Sequence, residues 1–318
     1  MSPKLHQGEF GLIERFIRPF DHHSKGLQLG PGDDAALIQP SKGLSLAVTV
    51  DTVRDGIHFG PRFTADEIGH KALAVNLSDL AAMGAAPRWF LVALELPARF
   101  PSARLDGIAR GMAALAREHR CALIGGNVTR GDRLALTITA LGEVPPELAL
   151  RRDALRPGDA IAVTGELGSA AFGLRLLRSG TRAGADAQLR PTPRVSAGLA
   201  ARGLARAAID ISDGLAQDLS HLCERSGCGV ELWADALPMS PEVAARPDAV
   251  DLCLRGGEDY ELVIGLRPAN VAKLQARFRE FGIPITVIGR ATRANGLQLA
   301  PSEGGRSRPL EAVGFQHF

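Results

Sequence analysis

LSLAVTV (Leu44–Val50), ADEIGHKALAVNLSDLAAM (Ala65–Met83) and RWFLVALEL (Arg88–Leu96) follow one another in the first half of the chain, and their order decides the fold class. The first and third are strand-length apolar runs rich in β-branched or aromatic residues. The second repeats apolar residues at helical spacing until Gly84 stops it. Strand, helix, strand predicts a mixed α/β protein. Moving outward, Ser102–Arg120 predicts a helix and Cys121–Ile124 and Leu134–Val144 predict strands. Gly125-Gly126-Asn127, between those strands, predicts a turn. After Pro145-Pro146 and Arg156-Pro157-Gly158-Asp159 the alternation restarts. Strand Ala160–Thr164, a Gly165/Gly168 turn and helix Ser169–Arg178 come first. Strands Ala207–Ile211, Val230–Trp233, Glu261–Leu266 and Ile285–Ile288 follow, with helix Pro268–Phe281 before the last. The expected division is 1–148 and 149–318, since 318 residues suit two domains.

Composition excludes several classes. Hydrophobic residues at 45% and charged residues at 23% match an ordinary globular protein, not a disordered or fibrous one. A formal charge of +2 gives no electrostatic footprint for nucleic acid. Asn76, Asp79 and Arg88 interrupt the longest apolar run, so no membrane span is predicted. His6, Gln7 and Glu9 break the apolar core a signal peptide needs, so a cytoplasmic protein is expected. Cys121, Cys223, Cys228 and Cys253 lack paired zinc spacing and read as reduced thiols. There is no Gly-Lys dipeptide and hence no Walker A loop; the His-Arg-Asp loop, the Gly-x-Ser-x-Gly elbow and the His-Glu-x-x-His pair are missing too.

Acids mark the places where chemistry is expected. Asp33 and Asp34 follow Gly30-Pro31-Gly32, which reads as an Asp-rich turn or a metal ligand pair. Asp51 is expected just past a strand end, where it suits a turn cap or, with Thr49 on the same face, a shared ion. Asp79 falls in one helical stripe with Ala72, Val75, Ala82 and Met83, so burial demands a cation, a metal or a hydrogen-bonding neighbour. Asp210, Ser212 and Asp213 run into a turn before a helix starting near Leu215; one of them suits an N-cap, and all three together suit an anion bridged by a metal. Four carboxylates converging at about 4 Å would repel by roughly 4 kcal/mol per pair at an effective dielectric near 20, which only protons or divalent cations relieve. All-oxygen ligation selects Mg²⁺, Mn²⁺ or Ca²⁺. Gly125-Gly126-Asn127 with Arg130 suits a phosphate cradle or a plain hairpin loop. Gly256-Gly257-Glu258-Asp259-Tyr260-Glu261 reads as a structural turn or a substrate site.

Taken in order, Gly8-Glu9-Phe10, Gly32-Asp33-Asp34-Ala35-Ala36, Asp51-Thr52, Asn76 to Gly84, Gly125-Gly126, Arg152, Asp210 to Gly214, Gly256 to Leu262 and Gly314-Phe315-Gln316-His317-Phe318 resemble the thiamine-monophosphate kinase family over essentially the whole chain. The resemblance implies a two-domain α/β fold of the aminoimidazole-ribonucleotide-synthetase type whose N-terminal domain dimerises through its sheet. It also implies ATP-dependent phosphorylation of thiamine monophosphate with several Mg²⁺ ions. By motif position, Asp34, Thr49, Asp51, Asp79, Asn127, Asp210 and Asp213 would hold metal. Gly125, Gly126, Arg152 and Ser212 would contact ATP, and His58, Glu258 and Phe315 would face the thiamine phosphate. The acceptor is already an anion, so direct in-line transfer with no phosphoenzyme is expected.

Two positions depart from the family pattern: Asn127 replaces an acid after Gly-Gly, and Val50 replaces a hydroxyl residue before Asp51. Asn127 motivates a competing reading, a nucleotide-binding protein without turnover. Two enzymes of the same superfamily, selenophosphate synthetase and the hydrogenase-maturation dehydratase, compete as well. The first would want an N-terminal Cys, whereas the first cysteine is Cys121; the second would want a C-terminal Cys, whereas the chain ends His317-Phe318.

Overall fold

The computed structural model describes residues 9–21 and 23–315. Gly8 and the terminal Gln316, His317 and Phe318 of the quoted motifs lie outside the described residues. Two compact units emerge: one of residues 1–80 and 86–145, the other of 81–85 and 146–318.

The first unit runs α1 (Glu9–Ile17), β1 (Leu27–Leu29), β2 (Leu37–Ile38), β3 (Ser45–Arg54), α2 (Ala65–Ala82), β4 (Ala86–Leu96), α3 (Ser102–Glu118), β5 (Ala122–Arg130) and β6 (Ala135–Val144). Its four-stranded sheet has the order β3-β6-β4-β5, with β4 and β5 parallel and the other pairs antiparallel. β1 and β2 form a separate antiparallel pair. Apolar positions of α2 and α3, among them Leu73, Leu77, Ile108 and Met112, are fully buried and form the core with Phe90, Leu94 and Ile138 of the strands. Alternation along β3 sends Leu46, Val48 and Val50 to the other face, where Val48 and Val50 stand 61% and 59% exposed.

The second unit runs β7 (Ala160–Thr164), α4 (Ser169–Ser179), α5 (Asp186–Leu189), α6 (Val195–Ala201), β8 (Ala205–Asp210), α7 (Leu215–Ser226), β9 (Gly229–Trp233), α8 (Pro241–Ala244), α9 (Ala249–Arg255), β10 (Leu262–Leu266), α10 (Val271–Arg279), β11 (Ile285–Thr292), β12 (Gly296–Ala300) and β13 (Arg308–Leu310). Its seven strands have the order β13-β12-β9-β11-β7-β10-β8. β7 and β10 are buried at every position, as inner strands must be when both faces are covered. α7 sets Leu215, Leu219 and Leu222 into this core.

Three sequence expectations change. β3 continues past Val50 to Arg54, because Thr52, Val53 and Arg54 keep pairing with Thr137, Leu136 and Ala135, so Asp51 sits inside the strand and not past its end. Gly125-Gly126-Asn127 is strand, not turn: Gly125, Gly126 and Asn127 pair with Leu91, Val92 and Ala93. A Cβ on Gly126 would stand 2.0 Å from the Val92 carbonyl oxygen, so this glycine permits close strand packing. The helix expected over Pro268–Phe281 divides into a 3₁₀ turn, Pro268–Asn270, followed by α10. All four cysteines are free and buried, and among the described residues no helix is long and apolar enough to cross a membrane.

Candidate active site

In the first unit the predicted residues divide between the two faces of the sheet. Thr49 and Asp51, two apart on β3, face α2, where the Thr49 hydroxyl donates to Asp79 Oδ2 at 2.5 Å. The predicted apolar stripe is present, with Ala72, Val75 and Ala82 buried, and Asp79 emerges from it partly exposed, compensated by this hydroxyl. Asn76, fully buried, accepts from the Asp51 backbone N–H at 3.1 Å and donates to the Ala72 carbonyl at 3.0 Å. It ties the strand to the helix at this acid pair.

Asn127 lies on the opposite face. It pairs with Ala93, which pairs with Thr137, and Thr137 Oγ1 meets Thr52 Oγ1 at 2.8 Å on the side away from Asp51. Together with Asp34, Gly125, Gly126 and Thr139, Asn127 lines a cavity of about 760 Å³ roofed by α1. The exposed Asp34 turn is held by Asp33, whose Oδ1 accepts from the Asp34 N–H at 2.9 Å. Val50 also faces away from Thr49 and Asp51, so a hydroxyl there would not join them.

His58 sits in the turn after β3. Its Nδ1 accepts from the Arg54 N–H at 3.1 Å, which fixes the proton on Nε2 in the neutral ring and makes that atom a donor. Lys71, 1% exposed on α2, donates to the His58 carbonyl at 3.0 Å, and its Nζ lies 5.4 Å from the Phe63 ring centre. Neither Lys71 nor Asn76 stands out in the sequence as a site residue, although both belong to the helix that carries Asp79.

In the second unit three of the quoted motifs meet. The Ser212 carbonyl accepts from the Glu258 N–H at 2.8 Å, the Ile211 carbonyl from the Tyr260 N–H at 2.9 Å, and the Asp213 carbonyl from the Phe315 N–H at 3.0 Å. A Cβ on Gly314 would lie 2.4 Å from the Asp213 carbonyl, so the approach of the C-terminal segment requires glycine. Glu258 and Tyr260 adopt left-handed φ of 69° and 50°, a strained pair of the kind found at functional loops.

Asp218, absent from the acids expected to carry chemistry, organises the Asp210–Gly214 loop. Its Oδ2 accepts from the backbone N–H groups of Ser212, Asp213 and Gly214 at 3.0, 3.0 and 3.1 Å. The backbone N–H groups of the turn before α7 are therefore bonded to a carboxyl group of the chain itself. Neither Ser212 nor Asp213 caps α7; the N-cap is Gly214 and makes no side-chain cap. Burial, then the charges of Asp210 and Asp213, push the Asp218 carboxyl up to about 8. Asp259 is likewise pushed up to about 7 by burial, even though it accepts from the Gly168 and Ala170 N–H groups at 2.8 and 3.1 Å at the start of α4.

Arg152 lies elsewhere in this unit. It is exposed, and its carbonyl accepts from the Ser226 hydroxyl at 2.6 Å at the C-terminal end of α7. Ser212 precedes the other end of that 12-residue helix, about 18 Å away at 1.5 Å per residue. Among the described residues, no three His, Cys, Asp or Glu side chains are grouped as a ready metal site. The donors present are nonetheless hard oxygens, the set that suits Mg²⁺.

These two units are those of the AIR synthase related proteins: that family's N-terminal domain matches residues 32–144 and its C-terminal domain residues 156–300. Over its whole length the chain is 38% identical to thiamine-monophosphate kinase of Salmonella typhimurium, covering 98% of each sequence. The crystal structure of thiamine-monophosphate kinase from Stenotrophomonas maltophilia superposes with a TM-score of 0.84 at 42% identity, covering 91% of this chain and 95% of that one. AaThiL complexed with AMPPCP and TMP superposes with a TM-score of 0.78 at 30% identity over 100% of both chains. The chain belongs to the thiamine-monophosphate kinase family, and it is an enzyme.

Proposed function

We propose that the chain transfers the γ-phosphoryl group of ATP to thiamine monophosphate, giving thiamine diphosphate. Full-length identity to curated kinases of that name supports the reading, as does likeness to a relative complexed with AMPPCP and TMP. The observation that carries the chemistry is the pairing of Asp79 with the Thr49 hydroxyl, with Asp51 on the same strand face. That trio supplies one hydroxyl and two carboxylates without nitrogen or sulfur, which fits a hard divalent cation.

In this reading Thr49, Asp51 and Asp79 would hold Mg²⁺ in the first unit and Asp210 and Asp213 in the second, with Asp34 and Asn127 as separate oxygen donors on the other face of the first unit's sheet. Mg²⁺ there would neutralise the phosphate charge that otherwise keeps donor and acceptor apart. The chain's own groups bind and orient. Nε2–H of His58 donates to a phosphate oxygen, Glu258 and Phe315 hold the organic part of the substrate, and Ser212, Gly125 and Gly126 lie along ATP, with Arg152 contributing from its separate loop. The acceptor oxygen needs no general base, so transfer is direct. Several Mg²⁺ ions, a division of labour near residue 148 and a cytoplasmic setting complete the reading. A homodimer is part of it as well, supported by the apolar row Leu46, Val48 and Val50 on the sheet face away from α2.

The test is turnover of purified protein with ATP, Mg²⁺ and thiamine monophosphate, following thiamine diphosphate by chromatography. Product from the parent and roughly 100-fold or greater loss in folded Asp79→Asn is expected. No product from folded parent across a Mg²⁺ titration overturns the reading in favour of nucleotide binding without transfer.

A further inference from the structure

Gln188, on the short helix α5, is 2% exposed and donates from Nε2 to Glu258 Oε2 at 2.5 Å. The amide nitrogen therefore faces Glu258, and the amide oxygen points the other way. The consequence falls on the other end of the same group. Gln188 Oε1 is buried and has no hydrogen-bond partner among the described residues. A leucine or methionine of similar size would avoid that unpaired acceptor but would leave Glu258 Oε2 without this donor, so the glutamine is explained by its contact with Glu258 and not by packing. What glutamine alone supplies is the N–H aimed at Glu258.

The surroundings hold this contact rigidly. Ala185 and the Gln188 Cβ lie against Gly173 of α4, and Glu258 is fixed by its own left-handed backbone and its N–H bond to the Ser212 carbonyl. We propose that Gln188 is a positioning residue that fixes the Glu258 carboxylate in the orientation that accepts from the amino group of the substrate's aminopyrimidine. The proposal rests on reading Glu258 as a thiamine-phosphate contact. It assigns Gln188 a part in recognising the organic half of the substrate and none in binding ATP.

Gln188→Leu and Gln188→Met separate this role from a structural one. For each variant, KM for thiamine monophosphate, KM for ATP, kcat and the melting temperature are measured against the parent. The same kinetics are then run with the analogue carrying an oxo group in place of the pyrimidine amino group. The expected result is a rise of about tenfold in KM for thiamine monophosphate with KM for ATP and kcat within twofold, a melting temperature within a few degrees of the parent's, and a reduced preference for the amino substrate over the oxo analogue. An unchanged KM for thiamine monophosphate overturns the proposal, as does a parallel rise in both KM values with a lowered melting temperature. If Gln188→Leu does not fold, the unbranched Gln188→Met decides by the same criteria. A parent that neither binds nor phosphorylates thiamine monophosphate removes the functional reading and this proposal together, whereas an active parent with unaffected variants removes this proposal alone.

Discussion

Asp51 and Asp79 of the first unit ride on regular structure, whereas Ser212 and Asp213 of the second ride on a loop that another carboxyl group holds in place. Thr49 and Asp51 take their direction from strand alternation, and Asp79 takes its own from a helix whose neighbouring turns are buried. Asp213 and Ser212 have no such frame; the three N–H bonds to Asp218 give them one. The two solutions distribute cost differently. In the first unit one hydroxyl satisfies a half-exposed acid, while in the second a nearly buried carboxyl must be kept against burial and two like charges.

The comparison is broken most severely at Asp79. Asn there still accepts from the Thr49 hydroxyl, so the fold should stand while kcat/KM falls by roughly 100-fold or more, which a melting curve beside the turnover assay checks. Asp218→Ala should act the other way round, through the frame. Three loop N–H groups lose their acceptor, and unfolding free energy should fall by about 2 kcal/mol in urea titrations, with activity lost in step with the loop.

A subtler contrast uses the chain's two tryptophans, Trp89 in the first unit and Trp233 in the second. Asp259 has a native-state value near 7, above its unfolded one, so between these values the native state binds more protons than the unfolded state. Its contribution to stability is complete below about pH 4 and is lost as pH rises through 7. Unfolding followed by Trp233 fluorescence in a Trp89→Phe background should therefore show stability falling over that window, and Asp259→Asn should flatten the slope. The smallest effect belongs to Val50→Ser, which should leave the Mg²⁺ dependence of turnover within about twofold of the parent, because side-chain alternation turns residue 50 away from Thr49 and Asp51.

The α/β class, α2 with its compensated acid, and the strands β4, β7 and β10 were legible because α2 follows one helical period and the strands are apolar runs of strand length. The path of β5 through Gly125-Gly126-Asn127 was not. Two glycines and an asparagine are turn-formers locally, and only a neighbouring strand that needs the missing Cβ of Gly126 makes them strand. The separation of Asn127 from Asp51 was illegible for a related reason: the register shifts between Phe90 and Leu91, and parity across that bulge has no signature in one sequence. The helices α5, α8 and α9, of four to seven residues, are shorter than a periodicity window. Asp218 did leave a signal: an acid four residues after Gly214 in a first helical turn is well placed to reach back to the preceding N–H groups. Gln188 left none, since its partner is 70 residues away.

The filled turn before α7 has a consequence for competition among anions. Backbone N–H groups at such a turn ordinarily attract phosphate from solution. Here an incoming anion would have to evict a tethered carboxyl group whose effective concentration is far higher. Inorganic phosphate would bond the Ser212, Asp213 and Gly214 N–H groups only by displacing that tethered carboxyl group.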